Sequence, residues 1–187
     1  MRIMLDMDGV LVNFMEGIKS IYGYDDYEIP DHTYQIHLWT FYAEGNPFKI
    51  SKKELREIFD YSSEFWVKLP EYSWSKELIK KCFNLVGPEN VFILSAPSRG
   101  ESCKGKFNWI EKNYPEMGDR YVLTPHKYLC AQDSVLIDDS DWKIDSFVEA
   151  GGHGIVFPQE WNSQHGNVGN RVKYVYSELE RILNGFE

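Results

Sequence analysis

Cysteine is scarce in this chain of 187 residues: Cys82, Cys103 and Cys130 stand far apart and are odd in number. No CxxC pair and no disulfide framework emerges, which points to a reducing compartment. Long apolar runs are missing as well. None approaches the ~20 residues that a membrane-spanning helix needs, and Asp6 and Asp8 interrupt any signal-like amino terminus. A soluble, cytoplasmic protein with no membrane partner is expected. Basic surplus is also lacking: 20 Lys and Arg face 29 Asp and Glu, a formal net charge of −9. That argues against a nucleic-acid polymer as partner, which would require a basic face. It leaves room for a small anionic substrate in a local basic pocket. The five histidines, His32, His37, His126, His153 and His165, have no metal-like HxxxH spacing and read as surface or loop residues. Internal repeats and low-complexity segments are absent.

What is present is apolar material, 43% hydrophobic and 16% aromatic, enough to bury a core. The length suits one domain with an insertion. Residues 2–5 open as a short buried strand, and residues 11–22 carry apolar side chains at helical spacing. Residues 24–31 read as loop and 33–42 as a short aromatic helix, broken by Gly45-Asn46-Pro47. Residues 51–61 read as a helix with a capping box of Ser51 and Glu54. From there the pattern alternates. Helices are expected at 75–85, 102–113, 143–150 and 171–183, and strands at 91–94, 121–123, 135–137 and 154–157. Such alternation predicts an α/β fold, a parallel sheet with helices on both faces. Residues 1–13 and 73–187 are expected to form the core, and 14–72 a small helical cap inserted after strand 1.

Chemistry collects at strand ends. The first strand runs into Asp6-Met7-Asp8-Gly9. Two bare carboxylates this close repel, and one pKa rises unless a cation joins them; Mg²⁺, a hard cation with oxygen ligands, would relieve this. An Asp-Gly turn that merely closes a strand is the plainer alternative. The second strand ends in Ser95-Ala96-Pro97-Ser98-Arg99, the third is followed by Thr124 and Lys127, and the fourth ends in Asp138-Asp139-Ser140-Asp141. In a parallel sheet these ends share one edge, where open α/β folds place ligands. Acids, a hydroxyl and an ammonium gathered there suit a phosphate monoester: a carboxylate nucleophile, a second carboxylate as acid and base, and donors for phosphoryl oxygens. Asp141 could be a further acid of the metal loop, but is read here as the N-cap of a helix starting at Trp142. Lys104 and Lys106, on the 102–113 helix, read as surface lysines.

Asp6-Met7-Asp8-Gly9-Val10-Leu11 resembles motif I of the haloacid dehalogenase (HAD) superfamily, Ser95 its motif II, Lys127 its motif III and Asp138-Asp139 its motif IV. More narrowly, the chain is similar to the 5'(3')-deoxyribonucleotidases. That similarity rests on Asp6-Met7-Asp8-Gly9-Val10-Leu11-x-x-Phe14, Val122-Leu123-Thr124-x-x-Lys127, Leu136-Ile137-Asp138-Asp139 and Phe65-Trp66-x-x-Leu69-Pro70. The resemblance implies a HAD-like Rossmannoid core and a Mg²⁺-dependent phosphatase for a nucleoside monophosphate. It makes Asp6 the nucleophile and a metal ligand, and Asp8 the acid/base with its backbone carbonyl on the metal. Ser95, with backbone N–H groups of Ala96 or Ser98, would bind phosphate. Lys127 would neutralise nucleophile and phosphate, Asp138 would ligate the metal, and Asp139 would ligate through water or orient the site.

Departures from the family pattern bear on substrate choice. Ser95-Ala96-Pro97 stands where relatives have Thr-Ser-Pro. Asn13 replaces an acid, and Arg99 replaces a lysine while keeping a charge that could bind phosphate bidentately. Phe14 is expected as a base contact; Tyr34, Trp39, Phe41, Tyr42, Phe65 and Trp66 are expected in the cap's core. The alternatives are a phosphatase for another small phosphate ester or a nucleic-acid 3'-phosphate, and a catalytically silent binding protein on the same fold. A homodimer stays open.

Overall fold

A computed structural model describes residues 1–22 and 51–185. Five parallel strands form one sheet in the order β3-β2-β1-β4-β5. They are β1 (Arg2–Leu5), β2 (Val91–Ser95), β3 (Tyr121–Leu123), β4 (Ser134–Asp138) and β5 (His153–Val156). The helices among the described residues are α1 (Phe14–Tyr22), α2 (Lys52–Tyr61), α3 (Ser63–Lys68), α4 (Ser75–Val86), α5 (Gly100–Asn113), α6 (Asp141–Glu149) and α7 (Arg171–Leu183). The α/β alternation read from the sequence is therefore observed. The expected loop at 24–31, His32, the expected helix at 33–42 with Tyr34, His37, Trp39, Phe41 and Tyr42, and its break at Gly45-Asn46-Pro47 lie outside the described residues. No described helix is long and apolar enough to cross a membrane.

The first strand sits at the centre because its side chains are apolar on both faces. Ile3 and Leu5 join one hydrophobic cluster together with Val91, Ile93, Val135 and Ile137. Met4 joins another with Leu94, Leu136, Ile144 and Phe147. This is the period-two alternation of a strand covered on both sides. The register aligns Leu5 with Ile93 on β2 and with Ile137 on β4, so the three chains leave the sheet at nearly the same level. Asp6 N–H continues the ladder onto Ile137 O at 2.9 Å, and Thr124 N–H bonds Ser95 O at 2.9 Å.

The helix α2 starts as the sequence indicates. Ser51 accepts from the Glu54 N–H at 3.2 Å, and Glu54 Oε2 accepts from the Ser51 N–H at 2.8 Å. The next helix, α3, lies against α5 at a point where α5 carries Gly105. A Cβ there would stand 2.5 Å from Ser63 O and 2.6 Å from Trp66 Cβ. This small residue lets Trp66 settle onto α5, in an aromatic group with Phe14, Phe59 and Phe65. All four rings belong to the same hydrophobic cluster as Ile3 and Leu5.

Candidate active site

The turns and strand ends after β1 to β4, two helices and the loop beyond β5 deliver polar groups to the carboxyl edge of the sheet. After β1 the chain turns within Asp6–Val12: Leu11 N–H and Val12 N–H both bond Met7 O, at 2.8 and 2.9 Å. Gly9 makes the turn possible. Its φ is +75°, and a Cβ would lie 2.5 Å from Asp139 Cγ. Asp139 has little freedom to give way, because its Oδ2 accepts from Trp161 Nε1 at 2.8 Å. Gly9→Ala is therefore expected to strain the backbone and push Asp139 aside. Because misplacement near 1 Å costs ~100-fold, we expect kcat to fall by about 10- to 100-fold, with a lowered Tm. Phosphate-release kinetics and thermal melting check this, and a Gly9→Ala enzyme with normal kcat would contradict it.

Asp6 is 1% exposed. Its Oδ1 accepts from the Met7 N–H at 2.7 Å and meets Lys127 Nζ at 2.7 Å, while Oδ2 lies 3.5 Å from Lys143 Nζ. Burial alone would raise its pKa, but Lys127, Lys143 and Lys106 together hold the carboxyl well below the usual carboxylate range. Asp6 is thus ionised at neutral pH. Lys127, itself 4% exposed, also binds Asp138 Oδ2 at 2.5 Å. Asp138 Oδ1 accepts from the Ser140 N–H at 3.0 Å and stands 3.6 Å from Lys143 Nζ. Burial, and then the charge of Asp6, push the Asp138 carboxyl up. Burial and the charge of Asp138 push Asp139 up to about 8.

On the other side of the turn, Asp8 Oδ2 is ion-paired with Lys106, which is fully buried. Lys106 Nζ also donates to Ser95 Oγ at 3.0 Å and sits 4.4 Å from the centre of the Trp66 ring. The surface reading of Lys106 is overturned. It shares the inner stripe of α5 with Ser102, Gly105, Trp109 and Ile110, all buried. A helical side chain leans toward its own N-terminus, and on α5 that direction leads to the end of β2. Lys104, in contrast, is exposed as expected.

The residue that sequence reasoning overlooked altogether is Lys143. It lies at the third position of α6, so its stem points back over the first turn onto the strand end at Asp138. A loop beyond β5 went unnoticed too. Trp161 holds Asp139, Asn162 Nδ2 donates to Asp139 O at 2.8 Å, and Gln159 Nε2 donates to Gly9 O at 2.5 Å. Asp141 is not the cap. Ser140 occupies that position, and the Asp141 carboxylate instead accepts from the N–H and Oγ of Ser163.

Three residues expected as substrate contacts also make contacts within the chain. Arg99 Nε donates to Asp60 Oδ2 at 3.2 Å, with the Arg99 side chain 65% exposed. Ser98 Oγ donates to Phe59 O at 3.0 Å. Both tie the turn after β2 to α2. Phe14 is 5% exposed, and its ring lies 5.2 to 5.6 Å from those of Phe59, Phe65 and Trp66. Its surface is spent on packing, as expected for an apolar ring beside other rings. Ala96 follows Ser95 at the mouth of the strand. His126, His153 and His165 are exposed, as the sequence suggested.

The acids fit a hard divalent cation. Asp6, Asp138 and Asp139 each offer a carboxylate oxygen, and these lie within 4.8 Å of one another. An all-oxygen, anionic donor set suits Mg²⁺. Burial first, and then the charge of a neighbouring acid, raise Asp138 and Asp139, and a bound cation would offset both. Asp8 Oδ1 is buried without a hydrogen-bond partner among the described residues, a further polar atom turned to this edge.

No curated protein matches the chain in sequence. Among solved structures, a HAD-family enzyme from Bacteroides thetaiotaomicron, a mutant in complex with magnesium and inorganic phosphate, aligns over 89% of this chain and 98% of its own, at 13% identity and a TM-score of 0.42. The family model described as "5' nucleotidase, deoxy (Pyrimidine), cytosolic type C protein" matches residues 1–182. With all but the last few residues inside that match, the chain belongs to the cytosolic type C family of 5'-nucleotidases, as the motifs at its strand ends had implied.

Proposed function

We propose that this protein hydrolyses a (deoxy)ribonucleoside monophosphate through a phosphoryl-Asp6 intermediate, with Mg²⁺ as cofactor. The observation that carries the reading is Asp6 itself: a buried carboxylate kept ionised by lysines, with the Asp8–Lys106–Ser95 group close by. An Asp6 oxygen forms the bond to phosphorus as the bond to the nucleoside oxygen breaks, and Asp8, entering this step in its protonated form with Lys106 turned to the phosphate, gives that oxygen its proton. Asp8 then takes a proton from water, whose oxygen attacks phosphorus, so that inorganic phosphate leaves and Asp6 is restored. Lys106, Ser95 and Lys127 supply charge and donors for phosphoryl oxygens. When bound, Mg²⁺ on Asp6, Asp138, Asp139 and the Asp8 carbonyl would neutralise charge on the transferring group. Residues 1–13 and 73–187 would form the catalytic core and 14–72 a cap that closes over the nucleotide and excludes water. The family description favours deoxypyrimidine nucleotides and a cytosolic setting.

The test is Mg²⁺-dependent phosphate release from nucleoside 5'- and 3'-monophosphates, deoxy and ribo, purine and pyrimidine, beside sugar phosphates and a 3'-phosphorylated oligonucleotide. We expect release from the deoxypyrimidine monophosphates. Release from sugar phosphates alone would overturn the nucleotide reading and leave the chemistry standing. No release from any of them would leave a silent binding protein.

A further inference from the structure

The oxygens of Asp6 and Asp138 are shared between two ammonium groups, and the two are not equivalent. Lys127 is 4% exposed and close, at 2.7 Å from Asp6 Oδ1 and 2.5 Å from Asp138 Oδ2. Lys143 is 17% exposed and loose, at 3.5 Å from Asp6 Oδ2 and 3.6 Å from Asp138 Oδ1. Each ammonium shares one of its two oxygens with a backbone donor: Asp6 Oδ1, beside Lys127, also accepts the Met7 N–H, and Asp138 Oδ1, beside Lys143, the Ser140 N–H. Lys143 covers the other pair. Its charge also bears on Asp139, the third acid of the cluster whose oxygens converge within 4.8 Å.

We infer that Lys143 is a tethered counter-ion: its ammonium holds the divalent-cation seat of the ion-free protein and leaves when the cation binds. The inference rests on the proposal that Asp6, Asp138 and Asp139 hold such a cation. Three buried acids against the single charge of Lys127 would still repel one another. A lysine on the first turn of α6 supplies a second positive charge, because its stem already points to the strand end, and the acids there offset the cost of burying it. The long contacts and residual exposure of Lys143 mark a side chain with room to withdraw, in contrast to the enclosed Lys127. Cation and ammonium then compete. The apparent affinity for the cation is the intrinsic affinity scaled by the fraction of molecules in which Lys143 has left the seat.

Lys143→Met keeps the stem and removes the charge. On the full chain, Mg²⁺ binding by calorimetry and Mn²⁺ binding by electron paramagnetic resonance are compared for wild type, Lys143→Met and the charge-retaining Lys143→Arg. We expect Lys143→Met to bind either ion on the order of tenfold tighter than wild type or more, since a like charge beside the seat is gone. Lys143→Arg should stay near wild type. The ion-free Tm of Lys143→Met should be lower than that of wild type, and its rise on adding Mg²⁺ larger. Should Lys143→Met not fold without the ion, Lys143→Gln gives the same comparison. Equal or weaker binding by the neutral variants would overturn the inference and leave the metal site in place. Absence of saturable binding in wild type and variants alike would overturn both.

Discussion

Asp6→Asn is expected to release no measurable phosphate from any substrate that the wild type hydrolyses. Asparagine keeps the shape of the side chain and loses the anionic oxygen that the proposed mechanism uses to attack phosphorus. Loss of a nucleophile has cost ~10⁶-fold in kcat in a well-studied hydrolase, so a loss of at least ~10⁴-fold is expected here. The fold should survive. Lys127 and Lys143 both retain Asp138, at 2.5 and 3.6 Å, so neither ammonium is orphaned. Removing the Asp6 charge also relieves Asp138, whose carboxyl that charge helps to push up. The stability loss should therefore stay near 1–3 kcal/mol, the scale of a charged hydrogen bond removed. Its pH dependence has a defined sign. The pKa of Asp6 is depressed in the folded state, so its contribution is present above the ordinary carboxylate value and fades as pH falls toward the folded one. The stability gap between wild type and Asp6→Asn should thus be constant above the ordinary carboxylate range and narrow progressively as pH falls below about 4. Single-turnover phosphate release and melting against pH measure both parts. Retention of even about 1% of wild-type kcat would show that another group attacks.

The gathering of charged groups at one sheet edge was legible in the sequence because apolar strands of a parallel sheet end together. Asp6, Ser95, Lys127 and Asp138 each follow a short apolar run, and the register of β1 with β2 and β4 brings those runs level. Groups contributed from helices were harder to read, because a helix gives no comparable punctuation. Lys106 carried a signal all the same: it falls three and four residues before Trp109 and Ile110, on the stripe that α5 buries. A lysine on such a stripe needs an anionic partner, and Asp8 is that partner. Lys143 could have been found from its place in the first turn of the helix that follows Asp138-Asp139. The packing of Arg99 and Phe14 was hidden for a different reason. Their neighbours in space, Asp60 and the Phe59–Phe65–Trp66 rings, come from α2 and α3, and nothing local to residues 14 or 99 announces that packing. The pairing of Trp161 with Asp139 depends on how the loop beyond β5 folds back, which leaves no periodic trace.

The second large effect belongs to Lys106, and Lys104 supplies its control. The two lysines are two residues apart on α5, one fully buried and one exposed. Lys106→Met keeps a stem of similar length beneath Trp66 but removes the ammonium from Asp8 Oδ2 and Ser95 Oγ. The Asp8 carboxylate then stands without its cation beside an incoming phosphate dianion, and the site loses a preorganised positive charge where negative charge accumulates. Loss of one such donor typically costs ~10²–10³-fold in kcat. We expect that range for Lys106→Met, with KM raised as well, because the same charge attracts the ground-state phosphate. Breaking a fully buried ion pair costs ~3–5 kcal/mol. The Asp8 side chain is 16% exposed, so partial hydration should reduce the loss to about 1–3 kcal/mol. Lys104→Met should change neither kcat nor stability by more than ~0.5 kcal/mol, the usual scatter for surface sites. Steady-state kinetics and denaturant melts of the pair decide the matter. If the two variants behave alike, Lys106 contributes packing alone and the electrostatic role given to it is wrong. If only Lys106→Met loses activity while Asp6→Asn still binds substrate, Lys106 serves the charge that develops during phosphoryl transfer.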